Sequence, residues 1–305
     1  MPLAPASAFS LYSTLEAASA PSIGAVAANS GKMQDRLGGA YRRLERAQMN
    51  LKQFHTEYCQ YFASSPCRLN AVIHTGGHGE IVSELLVPLP DWAMLVADTV
   101  TDLRFALDYL AYELVAANTG QDPPPDWRGI SFPIYASKER FKDVGLRAIR
   151  NMAPRVQATI QRAQPYKVTA PKTQTLYLLN DLCDSYKHRL LAPVMLMLDK
   201  ASLTWQPIHC TVKDVTIQPQ WSNPIENKAV VATFTLDNVK PCKSRLVLGT
   251  QPFCRVVFPK GTAAENVRVG EFLISVTDTI RQAAHVLTRL QWGVPMDLPA
   301  LTSFE

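Results

Sequence analysis

The sequence predicts an α+β fold: a helical bundle core with an inserted β-hairpin, followed by a C-terminal antiparallel β-sheet and a closing helix. Three observations predict it. Apolar residues recur at three- and four-residue steps through most of the first two-thirds of the chain. Two short strand-like runs around Thr75-Gly76-Gly77-His78-Gly79 interrupt that pattern, and beyond Pro193 the chain breaks into short β-branched and aromatic runs separated by Pro, Asn, Asp and Lys. With 305 residues, 47% of them hydrophobic and 19% charged, the chain has enough apolar side chains for a substantial core.

Residues 1–31, rich in Ala, Ser and Pro with almost no charge, suit a poorly ordered leader. Lys32 to Phe62 sets Leu37, Tyr41, Leu44, Gln48, Leu51, Phe54, Tyr58 and Tyr61 on one helical face, with Arg36, Arg42, Arg43 and Arg46 around the others. Arg68 to His74 and Glu80 to Val87 read as two strands, their glycine turn supplying the positive dihedrals a hairpin needs. Asp91 to Asn118 is a second long helix, with Asp91 placed to cap its first turn and Thr119-Gly120 ending it. Its stripe of Val96, Val100, Leu103, Leu107, Leu110 and Leu114 lies nearly opposite Phe105, Tyr109 and Tyr112, which predicts a central helix packed between layers. Arg104 and Asp108, four apart at the edge of the leucine stripe, predict an internal ion pair.

Three shorter helices follow, at Ser137–Met152, Pro154–Ala163 and Lys172–Leu191. Val194–Leu198, Leu203–Trp205, Val212–Ile217, Val230–Leu236, Arg245–Leu248 and Phe253–Phe258 then read as strands, and Val267–Trp292 as the closing helix. The expected organisation is residues 32–191 as a helical domain with its hairpin at 67–87, and 192–305 as sheet plus helix, packed together as one unit.

No run of eighteen apolar residues and no signal-peptide pattern occurs, so the expectation is a cytoplasmic protein without a membrane partner. Six cysteines without a CxxC spacing read as reduced thiols. No cofactor is implied. His74, His78 and Glu80, or Asp181, Asp184 and His188, have the residue types of metal ligands, but a solvated turn and a helix-end pair are the simpler readings, so no metal is expected.

The formal charge of +5 is unevenly placed. Lys138 to Lys167 carries eight Lys and Arg against Glu139 and Asp143, a local charge of +6, whereas Asp91 to Asp126 carries seven acids against Arg104, a local charge of −6. Either the two segments face each other, or the basic run is a surface for RNA or another phosphate-bearing ligand. The composition is compatible with a homo-oligomer.

Leu103-Arg104-Phe105-Ala106-Leu107-Asp108-Tyr109-Leu110-Ala111, then Phe132-Pro133-Ile134, Gln164-Pro165-Tyr166 and Lys187-His188-Arg189, with Asp98 and Phe141, carry a resemblance. Between about Asp91 and Leu191 the chain resembles a group of bacterial proteins of unassigned function whose motifs run LRxALDxLA, FPI, QPY and DKHR. One departure stands out: Tyr186 sits where that family has an acid before the lysine. The resemblance implies candidate positions but no activity. The helical part also looks faintly like HEPN domains, helical bundles that bind or cleave RNA with an Arg and a His a few residues apart. The nearest match here, Arg281 and His285, has one residue too few between them.

The candidate site residues are therefore His188, Asp184, Lys187, Arg189, Arg104 and Asp108. Asp184 lies one turn before His188, where a carboxylate can orient an imidazole acting as general base, and Lys187, Arg189 and Arg104 can hold phosphate. The alternative is structural, with the basic residues complementing the helix C-terminus and Arg104, Asp108, Asp184 and His188 forming a buried network that fixes helix packing. The first reading is a HEPN-like RNA-binding or RNA-cleaving protein of stress or phage defence; the second is a non-catalytic binding or scaffold protein. Both require Arg104 and Asp108 to lie near Asp184 and His188.

Overall fold

A computed structural model of the chain describes residues 23–188, 195–198, 205–217, 228–239, 243–248 and 254–295, with side chains except at 23–32, 34–35, 188, 195–198 and 217. The fold is α+β, as the sequence predicts. An N-terminal helix α1 (Ile23–Ala63) leads into the hairpin β1 (Cys67–Ile73) and β2 (His78–Leu85), then the central helix α2 (Ala93–Thr119). Short helices α3 (Lys138–Arg140), α4 (Leu146–Ile149), α5 (Pro154–Arg162) and the longer α6 (Thr175–His188) follow. Strands β3 (Met195–Leu198), β4 (Trp205–Ile208), β5 (Thr211–Ile217), β6 (Val230–Asp237), β7 (Arg245–Leu248) and β8 (Cys254–Val257) precede the closing helix α7 (Val269–Trp292). Helix α1 begins at Ile23, inside the stretch read as a leader, where Gly24-Ala25-Val26-Ala27-Ala28 supplies mostly good helix formers.

The stripe that predicts α2 as central is buried: Val96, Val100, Leu103, Leu107, Leu110 and Leu114 join Leu44 and Leu51 of α1, Leu179 of α6 and Phe272 and Ile280 of α7 in one core. Each such side chain contributes roughly 1.5–3 kcal/mol relative to exposure. Helix α2 touches α1, α6 and α7. Its start is fixed by Asp91, whose carboxylate accepts the Ala93 N–H at 3.2 Å, and by Trp92, whose indole donates to Glu57 at 2.8 Å. Its end is a left-handed Gly120 returning its N–H to Ala116. The second face of α2 is only half covered, since Tyr109 is 45% exposed.

The sheet departs from the expected arrangement in one respect. The hairpin is not confined to the helical part: β2 pairs antiparallel with β6, giving the order β1-β2-β6-β5, while β3 pairs with β8 and β4 with β7. Strand pairing is a long-range choice that local composition does not encode. Ile81, Ala232, Phe234 and Leu236 form a second apolar cluster on this sheet. Cys254 packs against both clusters, and the neighbouring Cys67 and burial push its thiol up. Cys59, Cys67, Cys183, Cys210 and Cys254 are free thiols. Among the described residues no helix is long and apolar enough to cross a membrane.

At Gly79 the Phe234 ring on the neighbouring strand occupies the space a side chain would take. Gly79→Ala is expected to cost about 1–3 kcal/mol through overpacking, read as a lower midpoint in denaturant unfolding. An unchanged midpoint would show that Phe234 does not rest on this glycine.

Candidate functional site

The first question is where the motif residues go. On α2, Arg104 and Asp108 form the expected ion pair at 3.1 Å. Both are also engaged by the extended segment that follows the proline-rich loop. Arg104 Nη2 donates to the carbonyl of Phe132 at 2.9 Å, and the Phe132 N–H donates to Asp108 Oδ1 at 2.9 Å. Gln164, just after α5, closes the other side. Its Nε2 donates to the Pro133 carbonyl at 2.7 Å and to Ile160 at 3.1 Å, and its Oε1 accepts the Tyr135 N–H at 3.1 Å. The Tyr166 N–H donates to the Tyr135 carbonyl at 3.2 Å. Phe132, Pro133 and Ile134 are buried and belong to no helix or strand, so their backbone groups need partners from elsewhere. Side chains of α2 and Gln164 supply them.

Asp184 and Lys187 of α6 approach the same place. Burial pushes the Asp108 carboxyl above its ordinary value, against the pull of Arg104 and of the Phe132 N–H, and the charges of Lys187 and Asp184 act on it as well. The Cys183 thiol, also raised by burial, feels all four charged groups. Arg104, Asp108, Asp184 and Lys187 therefore converge. They do so unequally: Arg104 is 10% exposed at its side chain, whereas Asp184 and Lys187 are 58% and 44% exposed and lie 3.8 Å apart. Asp184 also accepts from Asn180 at 3.0 Å, and Lys187 lies over the Phe105 ring at 6.0 Å. The His188 side chain and Arg189 lie outside the described residues. Tyr186 packs against the core, and burial pushes its phenol far up. Arg281 pairs with Asp278 at 3.2 Å on α7. His74 lies 3.6 Å from Glu80 across the hairpin turn.

The acidic run meets its counter-charges elsewhere than the neighbouring basic segment. Asp102, 4% exposed, accepts from Arg43 at 2.6 Å and lies 3.2 Å from Arg46; Arg36 pairs with Glu113 at 3.4 Å. Three arginines of α1 thus complement α2, and Arg43 also lies over the Phe105 ring at 5.2 Å. Between the two runs the described ion pair is Arg150 with Asp126. Lys138, Arg140, Lys142, Arg147, Arg150, Arg155, Arg162 and Lys167 are all exposed.

Within this basic stretch lies a cleft of about 310 Å³ that no sequence motif marked. Val115, Ile130, Tyr135 and Val144 give it apolar walls, and Arg147, Arg150, Asn151 and Asp126 give it polar ones. A π turn at Phe141–Gly145 carries Val144 into its wall. A side chain at Gly145 would press on Phe141 and Tyr135. The signal in the sequence was the alternation of arginines with apolar residues, which a regular helix explains equally well.

Two outcomes are expected at the clamp. Gln164→Ala should cost on the order of 2–4 kcal/mol, because the Pro133 carbonyl and the Tyr135 N–H lose a buried partner, and thermal unfolding reads it directly. Asp108 titrates near about 3.9 when unfolded, and its raised folded pKa means the native state holds the proton to higher pH. The stability tied to this group is greatest below the unfolded value and declines as pH rises through the folded one. Asp108→Asn cannot ionise, so its melting temperature relative to the parent should improve between about pH 4 and about pH 7, whatever constant offset the lost ion pair adds. A difference that stays flat over that range would mean that Asp108 is not desolvated. No protein-family model, curated protein or solved structure matches this chain.

Proposed function

We propose that the chain is a non-catalytic binding protein whose ligand is a phosphate-rich polymer, single-stranded RNA above all, held on the exposed face of Lys138–Lys167. One observation carries the reading: the acids of α2 are complemented by α1, which leaves eight clustered cations facing solvent. Cations free of strong internal partners can exchange condensed counterions for phosphate contacts, the main source of sequence-independent affinity for nucleic acid. The motif residues support the same reading by being occupied. Arg104 and Asp108 hold the Phe132 peptide, and Arg104 is too enclosed to reach a phosphate in solution. Among the described residues at the end of α6, Asp184 and Lys187 are exposed and lie 3.8 Å from each other.

Fluorescence anisotropy with a labelled single-stranded RNA tests this. Affinity is expected to fall linearly in log K against log salt, with a slope near −0.7 per phosphate contacted, while the RNA stays intact on a denaturing gel. Arg140→Glu combined with Lys142→Glu should weaken binding at low salt and flatten the slope by about 0.7 for each lost phosphate contact. Binding that is absent at low salt, or unaffected by salt, would refute the proposal.

A further inference from the structure

We infer that the cleft between Tyr135 and Arg150 seats one nucleotide, its base against the apolar walls and its phosphate on Arg147 and Arg150. The inference rests on the reading above for the identity of the polymer, but the cleft itself is an independent observation. Its volume of about 310 Å³ is at the lower end of small-ligand sites. That is room for a single planar base with its sugar, not for a folded domain or a duplex.

The lining combines the two chemistries a nucleotide requires. Ile130, Val115 and Tyr135 supply apolar surface on which a base can lie. Arg147 and Arg150, one helical turn apart, also line the cleft, and guanidinium forks suit the paired oxygens of a phosphate. Both have carboxylate neighbours in the free protein: Arg150 pairs with Asp126, and Arg147 lies 3.5 Å from Asp143. These pairs do not block the site. All four side chains are more than half exposed, and exposed ion pairs are weak enough to give way to a charge-assisted bond with phosphate. Released from Arg150, Asp126 becomes an acceptor for a ribose hydroxyl or an exocyclic amine, and the Asn151 amide on the same wall can do the same or donate. An aromatic acid lacking hydroxyls would leave Asp126 facing it without a donor, which favours the nucleotide. Next to the cleft, Trp127 is 49% exposed with Arg128 over its ring at 5.1 Å, a platform for the adjoining base of a strand.

The cleft and the basic surface can be separated by substitution. Val144→Trp, at a wall position 44% exposed, fills the cleft without changing any charge, and Arg150→Gln removes one phosphate contact without filling it. Calorimetric titration of the full chain with adenosine 5′-monophosphate should show binding about tenfold or more tighter than adenosine, the expected worth of a charge-assisted phosphate contact. Inorganic phosphate should bind more weakly than the mononucleotide. Val144→Trp should abolish mononucleotide binding while its circular dichroism and melting temperature stay near the parent's, and Arg150→Gln should weaken it by about tenfold. In the RNA assay, Val144→Trp should lower affinity and flatten the salt slope by no more than about 0.7, the one phosphate that leaves the cleft.

Loss of mononucleotide binding in Val144→Trp, with folding intact, supports the cleft as the site. Should the mononucleotide bind without any RNA binding, the cleft stands as a site for free nucleotides and the polymer reading fails. Steep salt-dependent RNA binding that Val144→Trp leaves unchanged, with no mononucleotide binding, overturns the cleft and leaves the surface reading intact. Equal affinity for inorganic phosphate and for the mononucleotide would also overturn it, because the apolar walls would then contribute nothing. If Val144→Trp unfolds the chain, Arg150→Gln decides: an unchanged mononucleotide affinity in that variant overturns the inference.

Discussion

The architecture turns on a requirement set by the buried segment Phe132–Tyr135. It passes through the interior without joining a sheet or a helix, so hydrogen bonds that a neighbouring strand would provide must come from side chains. Arg104 and Asp108 bind both polar groups of Phe132 from the α2 side, and Gln164 binds Pro133 and Tyr135 from the other. Three stretches of chain are fixed by one set of contacts. The stretches Leu103–Ala111, Phe132–Ile134 and Gln164–Tyr166 thus form two clamps and the peptide they hold. A buried guanidinium and carboxylate would be costly if either lost its partner, but here each is tied to a peptide group as well as to the other.

The second constraint is electrostatic. A carboxylate as enclosed as Asp102 requires compensation, and two arginines of α1 provide it across a sequence separation that no local pattern reveals. Because α1 lies along α2, Arg36, Arg43 and Arg46 use up the negative field of α2. The positive field of Lys138–Lys167 is then left to the solvent.

What could be read from the sequence followed the range of each interaction. The stripe of α2, the Arg104–Asp108 pair, the Asp91 cap and the Gly120 stop depend on neighbours within a few residues, and the structure places them as the spacing indicates. The hairpin was legible, but its pairing with β6 was not, since Ile81 meets Ala232 across half the chain. The Arg104–Asp108 pair was legible, whereas what it holds was not: a sequence shows a guanidinium, not the peptide it binds. That the acids of α2 pair with arginines of α1 was not legible either, because Arg43 and Asp102 are 59 residues apart. The cleft was invisible because its walls come from separate segments and one of them depends on a π turn.

That π turn links the clamp to the cleft. One residue added to a helical turn alters the phase of everything beyond it, so Leu146–Ile149 and Arg150 are presented differently from the way a continuous helix from Lys138 would present them. The turn is accommodated by Gly145, which lets the Phe141 and Tyr135 rings close on the backbone, and Phe141 in turn packs against Tyr166 with ring centroids 5.6 Å apart. Tyr135 is at once held by Gln164 through its N–H and exposed as a wall of the cleft. The clamp therefore does for the cleft what a rigid strand does for a binding loop: it fixes Tyr135, one aromatic residue of the wall, through a backbone bond to Gln164.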